Sequence, residues 1–186
     1  MLFRSLDGND VTGRLAFALH DTRDQGWRDD TGFRERKANL KWGRSLGEGE
    51  LLTSVAATEL DQETGGFING TDAYRSRALA RANANPEAFR QAGAVRAMAR
   101  WKERAADGWE ITGFARASRM RFLQHFLLGK PLERNGQQSA GIMASRGFAV
   151  AGADFRAGLD TENASTYLVE FQAGPTLEGK IGRAHV

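Results

Sequence analysis

The sequence lacks cysteine, has only three prolines, and contains no apolar run of about 18 residues. Without cysteine the chain has neither disulfide bonds nor a thiolate site, and without a long apolar run it has no transmembrane helix. A strong charge of one sign is also missing, because 26 Lys and Arg against 23 Asp and Glu leave a net charge of +3. The basic residues are dispersed, which argues against a nucleic-acid partner.

Glycine is abundant, at 22 of 186 residues, whereas its usual share is about 7%. With so little proline, turns must form mostly at Gly, Asn and Asp. No signal peptide precedes the charged sequence, so we expect either a cytoplasmic protein or a fragment of a longer one.

Apolar residues recur at every second position in several segments. The apolar sides of the clearest segments are Val11, Leu15, Phe17 and Leu19; Ala38, Leu40 and Trp42; Val95, Ala97, Ala99 and Trp101; Ile111, Gly113, Ala115 and Ala117; and Ala153, Phe155, Ala157 and Leu159. Charged residues such as Arg14, Lys41, Arg96 and Arg156 occupy the alternate positions. With weaker patterns at Leu51–Thr58 and Gln138–Ser145, this alternation predicts about seven strands with one apolar face each.

The connections between these segments alternate in length. Gly43–Gly49 and Lys102–Gly108 are short, whereas Thr22–Gly32, Asp61–Arg90 and Arg121–Gln137 are long. Short turns at one end and long loops at the other are typical of an up-and-down membrane barrel.

The longest connection has helical composition. Asp72 is a candidate N-cap, and Asn85-Pro86-Glu87 has the order of cap, first-turn proline and acid. We therefore expect short helices near Ala73–Ala82 and Pro86–Gln91.

The alternation fits two architectures. In a soluble sandwich the apolar faces meet each other, whereas in a membrane barrel they face lipid and the charged faces line a wet interior. The apolar faces are rich in Ala and Gly, although a sandwich core needs larger branched residues to fill it. Trp42 and Trp101 also lie near the short turns, where a barrel carries an aromatic girdle. These features favour the barrel.

Four segments resemble parts of one family in order and spacing. Residues Gly13–Trp42, with the loop sequence "GWRD", resemble the early barrel strands of TonB-dependent outer-membrane receptors. Glu59–Tyr74 resembles the next long loop, and Phe122–Gly141 resembles a loop of the iron-siderophore branch. Val150–Ser165 resembles the strand that follows.

The resemblance implies an all-β fold: about seven strands of a barrel of about 22 strands, as an open curved sheet with long extracellular loops. It implies an outer-membrane transporter, not an enzyme, that imports a ferric siderophore or similar ligand and carries no cofactor. Its partners would be outer-membrane lipid, the ligand, and the TonB complex through a plug domain absent from this sequence. The alternatives are a soluble all-β ligand-binding domain and a small structural outer-membrane barrel.

The C-terminal residues suggest that the natural sequence stops near Gly179. Ile181–Val186, written as ATC GGA AGA GCA CAC GTC, match the translation of a common sequencing adapter, and its two preceding bases fit Lys180. We expect residues 1–179 to be the receptor fragment and residues 180–186 to be read-through.

Three loop residues are candidate ligand contacts. Tyr74, Arg75 and His125 combine aromatic and cationic groups, which suit anionic iron chelates. His20 is expected to be a solvated histidine of the polar face. No catalytic or metal site is expected, because Asp24, Asp29 and Asp30 lack the spacing of a calcium loop.

Overall fold

The computed structural model describes residues 8–10, 13–172 and 179–185, with side chains described for residues 13–172. The chain forms one open sheet in which each strand pairs antiparallel with the next. Its strands are β1 (Gly8–Asp10), β2 (Gly13–Asp24), β3 (Phe33–Leu46), β4 (Gly49–Glu63), β5 (Phe89–Glu103), β6 (Trp109–Leu123), β7 (Leu132–Val150), β8 (Ala153–Gln172) and β9 (Gly179–His185). The seven strands β2 to β8, of 12 to 20 residues, confirm the predicted antiparallel up-and-down sheet.

The strands extend further than the apolar alternation predicts. The connections at one end are residues 25–32, 64–88 and 124–131, and those at the other end are residues 47–48, 104–108 and 151–152. All three predicted long loops are thus shorter than expected, and Arg121–Gln137 shrinks most, to residues 124–131. The reason is that charged residues on both faces continue the backbone pairing. Ala151 and Gly152 both have positive φ, as a two-residue hairpin turn of type I′ requires.

The helix predictions are only partly correct. A 3-10 turn covers Ala73–Arg75 and α1 covers Arg77–Arg81. Ser76 rather than Asp72 caps α1, because its hydroxyl accepts a hydrogen bond from Leu79 N at 3.4 Å.

The second predicted helix, near Pro86–Gln91, is wrong. Asn83 Oδ1 accepts a hydrogen bond from Asn85 N at 2.9 Å, a local turn that competes with helix. Strand β5 then begins at Phe89, which pairs with Glu63 of β4. Tertiary pairing has overridden local helix propensity here.

The pairing register gathers the predicted apolar residues on one face, which we call the apolar face. One row of direct neighbours runs Phe17, Leu40, Val55, Ala97, Ala115 and Ala140. Leu15 and Phe155 lie on the same face. Arg14, Lys41, Arg96 and Arg156 lie on the other, which we call the polar face.

The described part of the chain has no hydrophobic core on either side of the sheet. Its only buried hydrophobic residues are Ala73, Ala80 and Ala88, which all belong to the loop of residues 64–88. Leu40 is 41% exposed and Phe155 is 51% exposed. A two-sheet sandwich would bury such residues, so the described residues do not form one.

Two sequence predictions concern the termini. Val11 and Val186 lie outside the described residues. Most of the predicted read-through belongs to β9, whose backbone pairs with β8. Backbone pairing carries no information on coding origin, so the read-through stays a prediction.

Candidate functional site

The three loops at one end of the sheet are joined by hydrogen bonds, and Arg28 makes several of them. Its guanidinium donates to Gly66 O at 2.7 Å, and to Ala82 O at 2.6 and 3.2 Å. Asn83 Nδ2 donates to Asp30 O at 2.9 Å. These bonds hold the loop of residues 64–88 against that of residues 25–32.

The loop of residues 124–131 is joined to the same assembly by charge. Lys130 Nζ donates to the carboxylate of Glu87. This hydrogen bond is the main cause that holds the pKa of the Glu87 carboxyl below its usual value, with a backbone hydrogen bond and Asn85 assisting. The pair connects the second and third loops only while Glu87 is ionised.

His125 lines a cavity of about 290 Å³ between the second and third loops. Its walls are largely aromatic, from Phe67, Phe89, Phe122 and Phe126, with Arg90 at the edge. The His125 and Phe126 rings meet edge to face at 5.5 Å.

Two polar atoms near this cavity stand out. Among the described side chains, His125 Nδ1 and Gln124 Oε1 are buried without a hydrogen-bond partner. A buried polar atom without a partner costs free energy. The third loop therefore carries two buried polar atoms whose hydrogen-bonding capacity the described residues do not use.

Tyr74 and Arg75 lie elsewhere in the second loop, and neither lines the cavity of His125. Tyr74 is 68% exposed. The Arg75 guanidinium lies 5.6 Å from the centre of its ring and pairs with Asp72 at 3.7 Å. The three predicted ligand residues thus share one end of the sheet, but Tyr74 and Arg75 lie apart from the cavity of His125. From the second loop, Thr64 to Phe67 share the cavity wall with His125, and nothing in the sequence singled them out as ligand contacts.

The polar face carries a network of ion pairs along the strands. Arg116 of β6 pairs with Glu162 of β8 and donates to Ser139 Oγ of β7 at 2.7 Å. Glu110 lies within 4.0 Å of the charged groups of Arg100, Lys102 and Arg156. Opposite charges on neighbouring strands therefore compensate one another on this face.

Sequence reasoning missed a second group of charges, on the apolar face itself. Beyond the apolar residues, towards the loops, this face carries Arg23, Arg34, Arg36, Arg119, Arg121 and Arg134. Five of these six, all but Arg23, line a cavity of about 530 Å³ together with Tyr167. We call the six residues the arginine row. Continuing the two-residue alternation into the charged sequence would have found it.

Among the described residues, no group of three or more His, Asp or Glu side chains is arranged to hold a metal ion. No described helix has the length and apolar content needed to cross a membrane. No protein-family model and no curated protein matches this chain.

Proposed function

We propose that this chain is a section of an outer-membrane β-barrel that belongs to a ligand importer of the TonB-dependent receptor type. Its apolar face contacts lipid, its polar face lines the lumen, and its loop end faces outwards to receive the ligand. The observation that carries the proposal is the uncovered apolar face, since seven strands present it and no second layer of described residues covers it. Exposed apolar surfaces of this extent mark membrane or protein interaction sites.

The height of the apolar face supports this orientation. On β6 its apolar residues run from Trp109 to Ala117, about 27 Å along the strand at about 3.4 Å per residue. If the strand were tilted by about 40°, this run would span about 21 Å along the membrane normal, and Arg119 would follow at about 26 Å, near the edge of the band of about 25 Å in outer-membrane barrels.

The borders of the apolar face support it as well. Near the short turns the face carries Trp42, Trp101, Trp109, Phe148 and Phe155. The Trp101 indole donates to Leu46 O at 3.1 Å, so its polar group is satisfied close to the turn. Amphipathic aromatic residues are enriched at the two edges of a membrane.

The importer part of the proposal rests on the loop end and on the resemblance of its segments to receptor loops. Tyr74, Arg75 and His125 offer aromatic and cationic contacts to an anionic chelate such as a ferric siderophore. Energy would come from the TonB complex through a plug domain outside this sequence.

Insertion into neutral lipid tests the orientation. The chain is refolded with phosphatidylcholine vesicles, and folding is followed by its heat-modifiable migration in gels. Val55→Asp on the apolar face should reduce the inserted fraction strongly. Ser54→Asp, one residue along and on the polar face, should change it little. Equal loss in both variants would contradict the assignment of the faces.

Binding of a ferric siderophore tests the importer part. Trp27 is 63% exposed in the first loop and serves as a fluorescence reporter. His125→Ala should weaken quenching by the iron-loaded ligand, whereas His20→Ala, within β2, should not. Unchanged binding in His125→Ala would remove His125 from the site.

A soluble ligand-binding domain remains the second candidate, because a partner layer outside this sequence would also cover the apolar face. In water without detergent we expect the chain to aggregate, since it exposes an apolar face and unpaired strand edges. A monodisperse monomer that melts cooperatively would favour the soluble domain instead.

A further inference from the structure

Two pairs of arginines in the arginine row face each other directly across neighbouring strands. Arg23 of β2 is paired with Arg34 of β3, and Arg121 of β6 is paired with Arg134 of β7. Like charges directly opposite one another on one face of a sheet are destabilising. Each pair therefore needs a compensating anion.

The first pair has its anion within the chain. The Asp21 carboxylate lies 2.7 Å from Arg34 and 3.6 Å from Arg23, and it also reaches Arg36 at 3.9 Å. One acid thus bridges the cations of β2 and β3.

The second pair has no such acid. Among the described residues, neither Arg121, Arg134 nor the neighbouring Arg119 forms an ion pair with a carboxylate. Arg121 lies over the ring of Phe89 at 5.1 Å, and Arg134 lies over that of Phe171 at 5.3 Å. The two rings lie on the outer strands β5 and β8, so the guanidinium groups diverge and leave space between them.

That space adjoins an apolar groove. Both the arginine cavity of about 530 Å³ and a groove of about 750 Å³ on the apolar face are lined by Arg36, Glu59, Arg119 and Tyr167. The floor of the groove is made of small residues, Ala38, Ala57, Gly93 and Ala117. The wall of the cavity carries five arginines against two carboxylates, Glu59 and Asp61, so the cavity is cationic on balance. A cationic cavity joined to a groove with an apolar floor has the chemistry that receives an anionic amphiphile.

We propose that Arg119, Arg121 and Arg134 bind the phosphate of an anionic lipid whose acyl chains lie along the apolar groove. The phosphate takes the place that Asp21 occupies between the first pair of arginines. Guanidinium groups suit this role, because they bind phosphate oxygens through paired, charge-assisted hydrogen bonds. The proposal rests on the lipid-facing assignment of the apolar face.

The test titrates the full chain, in micelles of a zwitterionic detergent, with short-chain phosphatidylglycerol by calorimetry. Arg121→Gln with Arg134→Gln should weaken binding on the order of tenfold. The control, Arg14→Gln with Arg96→Gln, removes the same charge from the polar face and should leave binding unchanged. Equal weakening in both double variants would overturn the site, since net charge alone would then explain it.

A second variant separates binding from stability. Arg134→Glu places an acid opposite Arg121, so it should raise the unfolding midpoint in detergent and abolish the binding of phosphatidylglycerol. A variant that still binds phosphatidylglycerol would overturn the proposal. Inorganic phosphate that binds as tightly as the lipid would also overturn it, in favour of a free-anion site.

The two experiments distinguish a failure of the lipid site from a failure of the proposed function. Insertion into pure phosphatidylcholine vesicles depends on the apolar face and not on the arginines. Normal insertion without a preference for phosphatidylglycerol overturns this inference alone. Failed insertion with retained binding of phosphatidylglycerol supports the arginine site and overturns the proposed function.

Discussion

The two faces of the sheet are built from alternate residues of the same strands, yet they differ in both chemistry and crowding. On the apolar face Ile111 and Ile142 are 40% and 52% exposed, whereas Thr112 and Ser139 on the polar face are 8% and 7% exposed. In most folds the apolar residues are the covered ones. Here these two polar residues are the covered ones, as on the inner side of a curved sheet with its apolar side outwards.

In this sheet the more crowded face is the polar one, so crowding does not follow hydrophobicity. The polar face is filled by long side chains that satisfy one another, as Arg116 does with Glu162 and Ser139. The apolar face has no partner within the described chain. In the proposed orientation, small residues such as Ala97 and Ala115 are acceptable there because lipid chains would adapt to the surface.

The largest expected effect comes from placing a cation on each face. Ala97→Arg on the apolar face should destabilise the chain in phosphatidylcholine bilayers by roughly 2–4 kcal/mol, the cost of a cation near the bilayer midplane. Met98→Arg, the next residue, points to the polar face and should cost far less. Urea unfolding in vesicles measures both variants. The reverse order would mean that the faces are inverted.

A smaller difference is expected when one methyl group is added to a glycine on each face. A Cβ at Gly141 on the polar face would lie 2.6 Å from the ring of Phe114 and 2.4 Å from Thr161 O, whereas one at Gly113 on the apolar face meets nothing within 4 Å. Gly141→Ala should therefore cost about 1–3 kcal/mol through overpacking. Gly113→Ala should stabilise the strand by about 0.5–1 kcal/mol.

The readout for the two glycine variants is the urea midpoint in detergent micelles, compared at unchanged m-value. Similar effects at Gly113 and Gly141 would show that the two faces are equally open, contrary to the crowding difference.

The smallest effect is expected for a charge pair that lies beyond both faces, in the loops. Lys130 holds the pKa of Glu87 below its usual value, so the contact is fully present above the ordinary carboxyl pKa of 4.5 and is lost as the pH falls through the folded-state pKa. Lys130→Gln should return the pKa of Glu87 towards its ordinary value.

An NMR titration of the Glu87 carboxyl in wild type and Lys130→Gln measures this change. Lys37→Gln, on a strand remote from the loop, is the control and should leave the titration of Glu87 unchanged. A Glu87 pKa that does not respond to Lys130→Gln would place the cause elsewhere in the loop.

The candidate site was less predictable than the sheet. Aromatic and cationic character singled out Tyr74, Arg75 and His125, but their grouping depends on how the second loop folds back. Arg28 fixes that fold through the carbonyls of Gly66 and Ala82. As a result Gly65 to Phe67, and not Tyr74, lie beside His125. Contacts of this kind join residues that are far apart in sequence, and no local pattern reports them.

The sequence by itself determined the seven strands β2 to β8 and which residues share a face within each strand, because side chains in a strand alternate with a period of two. It did not determine the strand ends, since charged residues on both faces hide the alternation while the backbone continues to pair. Only the tertiary structure decided the register between strands, which places Arg121 opposite Arg134 without an acid and Arg23 opposite Arg34 beside Asp21. Register depends on which partner residues meet, and that is a property of pairs of strands rather than of either strand alone.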